Sequence, residues 1–198
     1  FVEGEVSDVK ATGSVTNVSE GEVTNTITYT EGTNFKESNY NISKTEGKLS
    51  ITETTAKVTV TIKGKTDEMP YDGKEHSVEG YEVTSISNEL YKADDFTFGG
   101  TAEAKGTDAD TYKMGLTAAN FTNKSANFTD VEFVVTDGYV KITPRQVKLT
   151  SETASKAYDG TPLTRPVVKI EGSFVEGEVS DVKATGSVTN VSEGEVTN

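Results

Sequence analysis

The sequence predicts an all-β chain of tandem small antiparallel β-sandwich modules, about 86 residues each. Three observations predict it. The stretch Phe1 to Asn25 returns letter for letter as Phe174 to Asn198, an offset of 173 residues, and an undiverged copy at a fixed spacing marks a tandem array. The composition leans to Thr, Val, Gly and Asn with four prolines and no tryptophan, which suits short strands and turns better than helices. Short alternating runs separated by turn signals roughly every ten residues are the pattern of a sandwich.

Residues 1–56 open inside a module. Glu3 to Val6 and Ala11 to Thr16 read as short strands, Val23 to Thr30 as an alternating one, and Glu46-Gly47 as a turn into a closing strand from Lys48 to Thr52. Lys57 begins the next module, where Val58 to Ile62 alternates strictly, as a half-buried strand does. Met69 to Gly73 is a tight turn in which Gly73 is free to take positive φ. Tyr81 to Ile86, Phe96 to Phe98, Thr101 to Ala104, Thr111 to Leu116 and Val131 to Val135 come next as strands, and Asp137-Gly138 turns into Tyr139 to Thr143 before Pro144.

Past Pro144 the cycle restarts. Val147 to Thr150 mirrors the strand after Lys57, and Ala157 to Gly160 mirrors Pro70 to Gly73; the two Tyr-Asp-Gly turns lie 87 residues apart, about half of the 173-residue period. The period is therefore two diverged homologous modules. Module A is residues 57–144, complete; module B is split into its C-terminal part, residues 1–56, and the N-terminal part of the next B, residues 145–198, of which 174–198 equals 1–25. Linkers of a few residues imply a semi-rigid rod. Each half of B is expected to expose sheet edges, and head-to-tail strand exchange between chains is expected to rebuild it.

The net charge of −13 excludes nucleic acid as a partner, since phosphate binding needs clustered Lys and Arg. With no cysteine, neither a disulfide nor a thiolate nucleophile is available. No apolar run of membrane-spanning length occurs, so this segment has no membrane insertion. No catalytic, cofactor or metal site is expected. His76 is read as an ordinary loop histidine without a matched catalytic set, and Asp72 and Asp159 as turn aspartates bonding their own backbone two residues on, with Tyr71 and Tyr158 packed under the turns. Acidic pairs at Asp94-Asp95, Asp108 and Asp110, and Asp130 with Glu132 are read as solvated surface against calcium ligation. The sequons at Asn17, Asn41, Asn120, Asn123 and Asn127 follow from composition.

Tyr71-Asp72-Gly73, Tyr158-Asp159-Gly160 with Thr161 to Thr164, the Asn39-Tyr40 and Asn127-Phe128 segments and the closing Gly-x-hydrophobic-x-Ile-Thr strands resemble the YDG and MBG tandem modules of large bacterial surface proteins. Pro70 departs from the pattern of Ala157, so the approach to that turn differs. The resemblance implies export, attachment at the bacterial cell wall, and a non-enzymatic stalk or spacer role in an adhesin, with neighbouring repeat modules as partners. It hands over no catalytic residues. A lysine–asparagine isopeptide crosslink, known in similar stalk domains, would replace the missing disulfides. Asp108 to Tyr112 also resembles the tyrosine corner of immunoglobulin-like sandwiches, so the modules are expected to be immunoglobulin-like or related. The alternative function is a ligand-binding adhesin module that recognises a host protein or glycan through loops of A around Tyr91, Phe96, Asn120 and Phe121, with Phe96 and Phe121 read at least equally as core residues.

Overall fold

The computed structural model describes all 198 residues and is all-β, with eighteen strands, single-turn 3-10 helices and no α-helix. Residues 1–56 hold β1 (Val6–Ala11), β2 (Val23–Asn25), β3 (Ile27–Glu31) and β4 (Gly47–Leu49). Residues 57–144 hold β5 (Val58–Gly64), β6 (Thr66–Pro70), β7 (His76–Glu79), β8 (Tyr81–Ile86), β9 (Phe96–Phe98), β10 (Glu103–Gly106), β11 (Thr111–Lys113), β12 (Phe121–Asn123), β13 (Val131–Thr136) and β14 (Tyr139–Thr143). Residues 145–198 hold β15 (Val147–Ser151), β16 (Leu163–Thr164), β17 (Val168–Gly172) and β18 (Ser187–Val188). Two compact units form: the first is Phe1–Gly64, Tyr81–Thr101 and Leu116–Thr136, and the second is Lys65–Gly80, Ala102–Gly115 and Asp137–Asn198.

In the first unit β5 is the middle strand of a sheet ordered β13-β5-β8, and antiparallel pairs β1-β3, β2-β4 and β9-β12 complete it. The alternation of Val58, Val60 and Ile62 puts all three on one face, where they are fully buried. Tyr91, Phe96, Phe121 and Phe128 close over them, with Tyr81, Phe98, Phe133 and Val135 at the margin. The β9-β12 ladder sets Phe98 opposite Phe121 and Phe96 opposite Asn123, the Phe96 ring meets Phe121 edge-on at 6.1 Å, and Phe121 stacks on Phe133 at a centroid distance of 5.7 Å. The Tyr91 hydroxyl sits 3.1 Å from the Asp95 carbonyl and 3.0 Å from Asn123 Oδ1, and burial pushes its pKa up to about 12. In residues 1–56 a smaller aromatic group, Phe1, Tyr29, Phe35 and Tyr40, gathers without closing: Phe1 is 60% exposed.

In the second unit β14 lies between β11 and β6, and β7-β10, β15-β17 and β16-β18 are antiparallel pairs. Val140 and Ile142 of β14 are buried. The expected tyrosine-corner bond is present, the Tyr112 hydroxyl donating to the Asp108 carbonyl at 3.2 Å. Its ring lies so close over Gly106 that a Cβ there would sit 2.1 Å from Cε2, so only glycine fits under this ring.

The sheets are mixed, which corrects the purely antiparallel expectation. β13 runs parallel to β5, Val131 opposite Val58 through Thr136 opposite Lys63, and β14 runs parallel to β6, Tyr139 opposite Thr66 through Thr143 opposite Pro70. Parallel partners need a long connection between them, and here that connection is the rest of the module. Each opening strand is thus paired by a strand from its end.

Pairings recur between corresponding strands, at an offset of 87 residues from β5-β8 to β15-β17 and at offsets of 89 and 91 residues back from β11 and β14 to β2 and β4. Lys63 opposite Glu82 and Gly64 opposite Tyr81 in β5-β8 become Thr150 opposite Lys169 and Ser151 opposite Val168 in β15-β17. Tyr112 opposite Val140 and Lys113 opposite Tyr139 in β11-β14 become Val23 opposite Leu49 and Thr24 opposite Lys48 in β2-β4. What differs is cover. Ile62 is fully buried while its counterpart Leu149 is 50% exposed, and Ile142 is 2% exposed while its counterpart Ile51 is 41% exposed. Accordingly, Ile62→Ala is expected to cost about 2–5 kcal/mol, the usual range for emptying a packed site, and Leu149→Ala well under about 1 kcal/mol, as at open surface positions; urea titrations of both variants check the contrast.

Candidate functional site: the Tyr-Asp-Gly turns and the module junctions

The two turns have the geometry their residues dictate. Gly73 and Gly160 take φ of 78° and 77°, which side chains disfavour. Asp72 Oδ1 accepts the Lys74 N–H at 2.9 Å, and Asp159 Oδ1 accepts the Thr161 N–H at 2.9 Å and the Thr161 hydroxyl at 2.8 Å. Both aspartates thus bond two residues on, as expected of this turn chemistry. Lys156 Nζ lies 2.9 Å from Asp159 Oδ1. Asp159 is held well below the usual carboxylate range by Lys156 first and Thr161 next.

His76 has a partner that the sequence did not reveal. Its Nε2 is 2.9 Å from Asp72 Oδ1, and this bond is the main reason the Asp72 carboxyl is lowered, with the Lys74 amide second. Asp72 is the one side chain hydrogen-bonded to the imidazole, so the pair braces the turn and the start of β7.

Tyr158 departs from the expectation that its ring packs under the turn, whereas Tyr71 is half-buried. Tyr158 is 65% exposed. The Tyr71 hydroxyl donates to the carboxylate of Glu178, 107 residues further on, and this bond raises the phenol pKa. Around it lie further contacts between residues 57–144 and residues 145–198, all within the second unit. Arg145 donates through one guanidinium nitrogen to the Tyr71 carbonyl at 3.4 Å and through the other to Ser173 Oγ at 2.7 Å. Val175 packs on Gly73, with Cγ1 2.9 Å from where a Cβ would stand.

The junction before residue 57 uses amides. Asn127 Oδ1 accepts the Val18 N–H at 2.9 Å, Asn127 Nδ2 donates to Asn17 Oδ1 at 3.0 Å, and the Asn127 carbonyl accepts the Thr54 N–H at 2.9 Å. Asn17 and Val18 are presented by a single-turn 3-10 helix whose Glu20 side chain accepts the Asn17 N–H at 2.6 Å. The same turn recurs at Val191–Glu193, where Val191, the counterpart of Val18, is 85% exposed.

The remaining candidate residues are otherwise engaged. Tyr91, Phe96 and Phe121 are core residues, which leaves Asn120 of the loop surface considered for a ligand; its amide bonds the Gly99 carbonyl at 3.0 Å and the Thr117 N–H at 2.8 Å. Asp95 accepts the Lys92 N–H at 2.8 Å, Asp110 the Thr111 N–H at 2.7 Å, and Glu132 pairs with Lys57 at 2.7 Å. Asn123 donates to the Phe128 carbonyl at 2.7 Å. No three acidic or histidine side chains converge in a way that could hold a metal, and no helix is long and apolar enough to cross a membrane. No family model matches the chain, and neither curated proteins nor solved structures yield a match.

Asp72 and Asp159 have folded-state pKa values below their ordinary ones. Their stabilisation is therefore full above the unfolded aspartate value, about 3.9, and is lost as pH falls below it towards the depressed folded values. The thermal midpoint is expected to fall between pH 5 and pH 2, and less steeply in the Asp72→Asn, Asp159→Asn double variant. At the other junction, amide hydrogen exchange by NMR is expected to show Val18 protected relative to Val191, which sits in the same local sequence. Asn127→Ala is expected to bring Val18 to the Val191 rate and leave Val191 unchanged.

Proposed function

We propose that the chain is a non-enzymatic spacer segment of a repetitive bacterial cell-surface protein. Its period of two sandwich modules, immunoglobulin-like or related and of the YDG/MBG kind, projects a distal part of that protein away from the cell wall. The observation that carries this reading is the pair of built junctions. Module succeeds module with almost no free linker, and specific side chains bridge each step: Asn17 and Asn127 at one, Tyr71, Arg145 and Glu178 at the other. Bridged junctions restrict the rotation that a flexible linker would allow, which is what a spacer requires.

The strand order supports the same role under tension. Load arriving along the chain enters β5 at Val58 and leaves β13 beyond Thr136, at opposite ends of one parallel ladder. The evenly spaced bonds of such a ladder are then strained together instead of peeling singly. The β6-β14 ladder repeats the arrangement. The burial of Tyr91, Phe96 and Phe121 removes the aromatic surface on which the ligand-binding alternative would rest.

Chains of one, two and three 173-residue periods test the proposal by small-angle scattering. The maximum dimension is expected to rise in proportion to the number of periods, and pulling single molecules is expected to give equally spaced unfolding peaks from modules loaded in shear. Growth with the square root of the number of periods, as in a flexible string, would exclude the spacer.

A further inference from the structure

We infer that the turn of residues 88–91 is the seat on which a module A receives the Tyr-Asp-Gly turn of the module B before it in the array, with Leu90 packed against the Tyr158 ring of that B. The template is a contact inside the second unit. There the Tyr71-Asp72-Gly73 turn of A rests on the turn of residues 175–178 in the B that follows: Val175 packs on Gly73, and the Tyr71 hydroxyl donates to Glu178. Both halves of this contact have counterparts 87 residues away. Tyr158-Asp159-Gly160 is the counterpart of the first, and Gly160 shares the positive φ of Gly73, 77° against 78°. The turn of residues 88–91 is the counterpart of the second.

The second correspondence is one of shape. The Tyr91 N–H donates to the Asn88 carbonyl at 3.1 Å, and the Glu178 N–H donates to the Val175 carbonyl at 3.2 Å. Each turn follows the strand that lies antiparallel to its module's opening strand, β8 on β5 and β17 on β15. Modules alternate in the array, so a B is followed by an A just as an A is followed by a B, and the contact seen at one step has its parts at the other. The seat itself lies wholly within residues 57–144.

The chemistry of the seat is matched to a ring and not to a hydroxyl. The position of Glu178 is taken by Tyr91, which is 1% exposed and holds its own hydroxyl against the Asp95 carbonyl and Asn123, so a phenol meets no carboxylate at that position. The position of Gly177 is taken by Leu90, which is 78% exposed and offers an aliphatic side chain instead. Leu90 is held in place from both sides. Asn88 Oδ1 accepts its N–H at 2.9 Å, the Lys92 ammonium donates to the Glu89 carbonyl, and the buried Tyr91 anchors the end of the turn. An apolar side chain fixed in water gains once an aromatic ring covers it. The contact exchanges no strand, and it rests on the alternation of modules and not on their use as a spacer.

The chain has no cysteine, so introduced thiols report the contact directly. A Cβ at Gly73 would stand 3.9 Å from the Val175 Cβ, inside the disulfide range of about 3.5–4.5 Å, so Gly73→Cys with Val175→Cys in the chain itself calibrates the reaction. The test lengthens the chain by one further 173-residue period. Gly160→Cys in the first period and Asn88→Cys in the second are expected to form a disulfide under mild oxidation at least about tenfold faster than Gly160→Cys with Glu82→Cys, exposed and further back along β8. Asn88→Cys removes the bond to the Leu90 N–H, so a second measurement leaves both turns intact. Leucine-methyl NMR of the lengthened chain without cysteines is expected to show two Leu90 environments, the second period's displaced by the ring current of the first period's Tyr158. Tyr158→Leu in the first period is expected to return that signal to the position of the other. Coincident Leu90 signals before the Tyr158 substitution, or equal rates for the two cysteine pairs, would each overturn the proposal.

Discussion

The fold of residues 57–144 depends on its last strands lying parallel to its first. β5 cannot hold its buried valines until β13 arrives, and β6 has no ladder until β14 does. About seventy residues separate the partners in each ladder, so the loop-closure entropy must be met before the core forms. Everything between, including the β9-β12 pair that sets Phe98 opposite Phe121, is folded inside that closure. The alternation that buries Val60 and Ile62 in β5, flanked by β13 and β8, goes with a half-open Leu149 in β15, which pairs with β17 alone. The same residue pattern is core or surface according to what packs on it.

Much of the local structure is legible in the sequence, because it rests on near neighbours. The alternation of Val58 to Ile62 marks a strand and its inward face, the Asp-Gly pairs mark turns with positive φ at Gly73 and Gly160, and Asp108 to Tyr112 marks a hydroxyl bonded back to backbone. Strand direction is not legible. Alternation reports which side chains share a face and is silent on whether the neighbour runs up or down, so pattern alone reads the parallel ladders as antiparallel. The partners of Tyr71 and Asn127 are hidden for the related reason that they lie over a hundred residues away. The Asp72–His76 bond could have been anticipated, since four residues across a tight turn brings the two side chains within reach. Tyr91 looks available for binding because it flanks polar loop residues, while Phe96 and Phe121 read at least equally as core, and all three rings are buried in a core that has no tryptophan.

The two identical 25-residue stretches separate local from long-range causes. Gly4 and Gly177 have φ of 82° and 86°, Gly21 and Gly194 of 67° and 69°, and Asp8 and Asp181 of 51° and 53°. The single-turn 3-10 helix and the glycine–asparagine clasp also recur. Pairing differs: Val6–Ala11 forms a ladder with β3, whereas its copy forms none and Ser187–Val188 pairs with β16 instead. Backbone conformation is thus written within the stretch, and strand identity is conferred by what lies alongside. Agreement between local preference and the final fold is what allows one sequence to serve at both positions.

The long-range bonds of Asn127 and Tyr71 show how distant segments of a strongly acidic chain are held together. A charge of −13 over 198 residues opposes such contacts through self-repulsion, damped beyond about 8 Å at physiological salt. Neither junction relies on an ion pair to overcome this. The Asn17–Asn127 clasp is neutral, and at the other junction a neutral phenol donates to Glu178 while Arg145, one of two arginines in the chain, directs its donors to a carbonyl and a hydroxyl. Short-range directional bonds that pair no two opposite charges lose little to added salt, whereas the repulsion between faces weakens with it. Salt therefore relaxes the self-repulsion of the acidic chain and leaves these bonds largely intact.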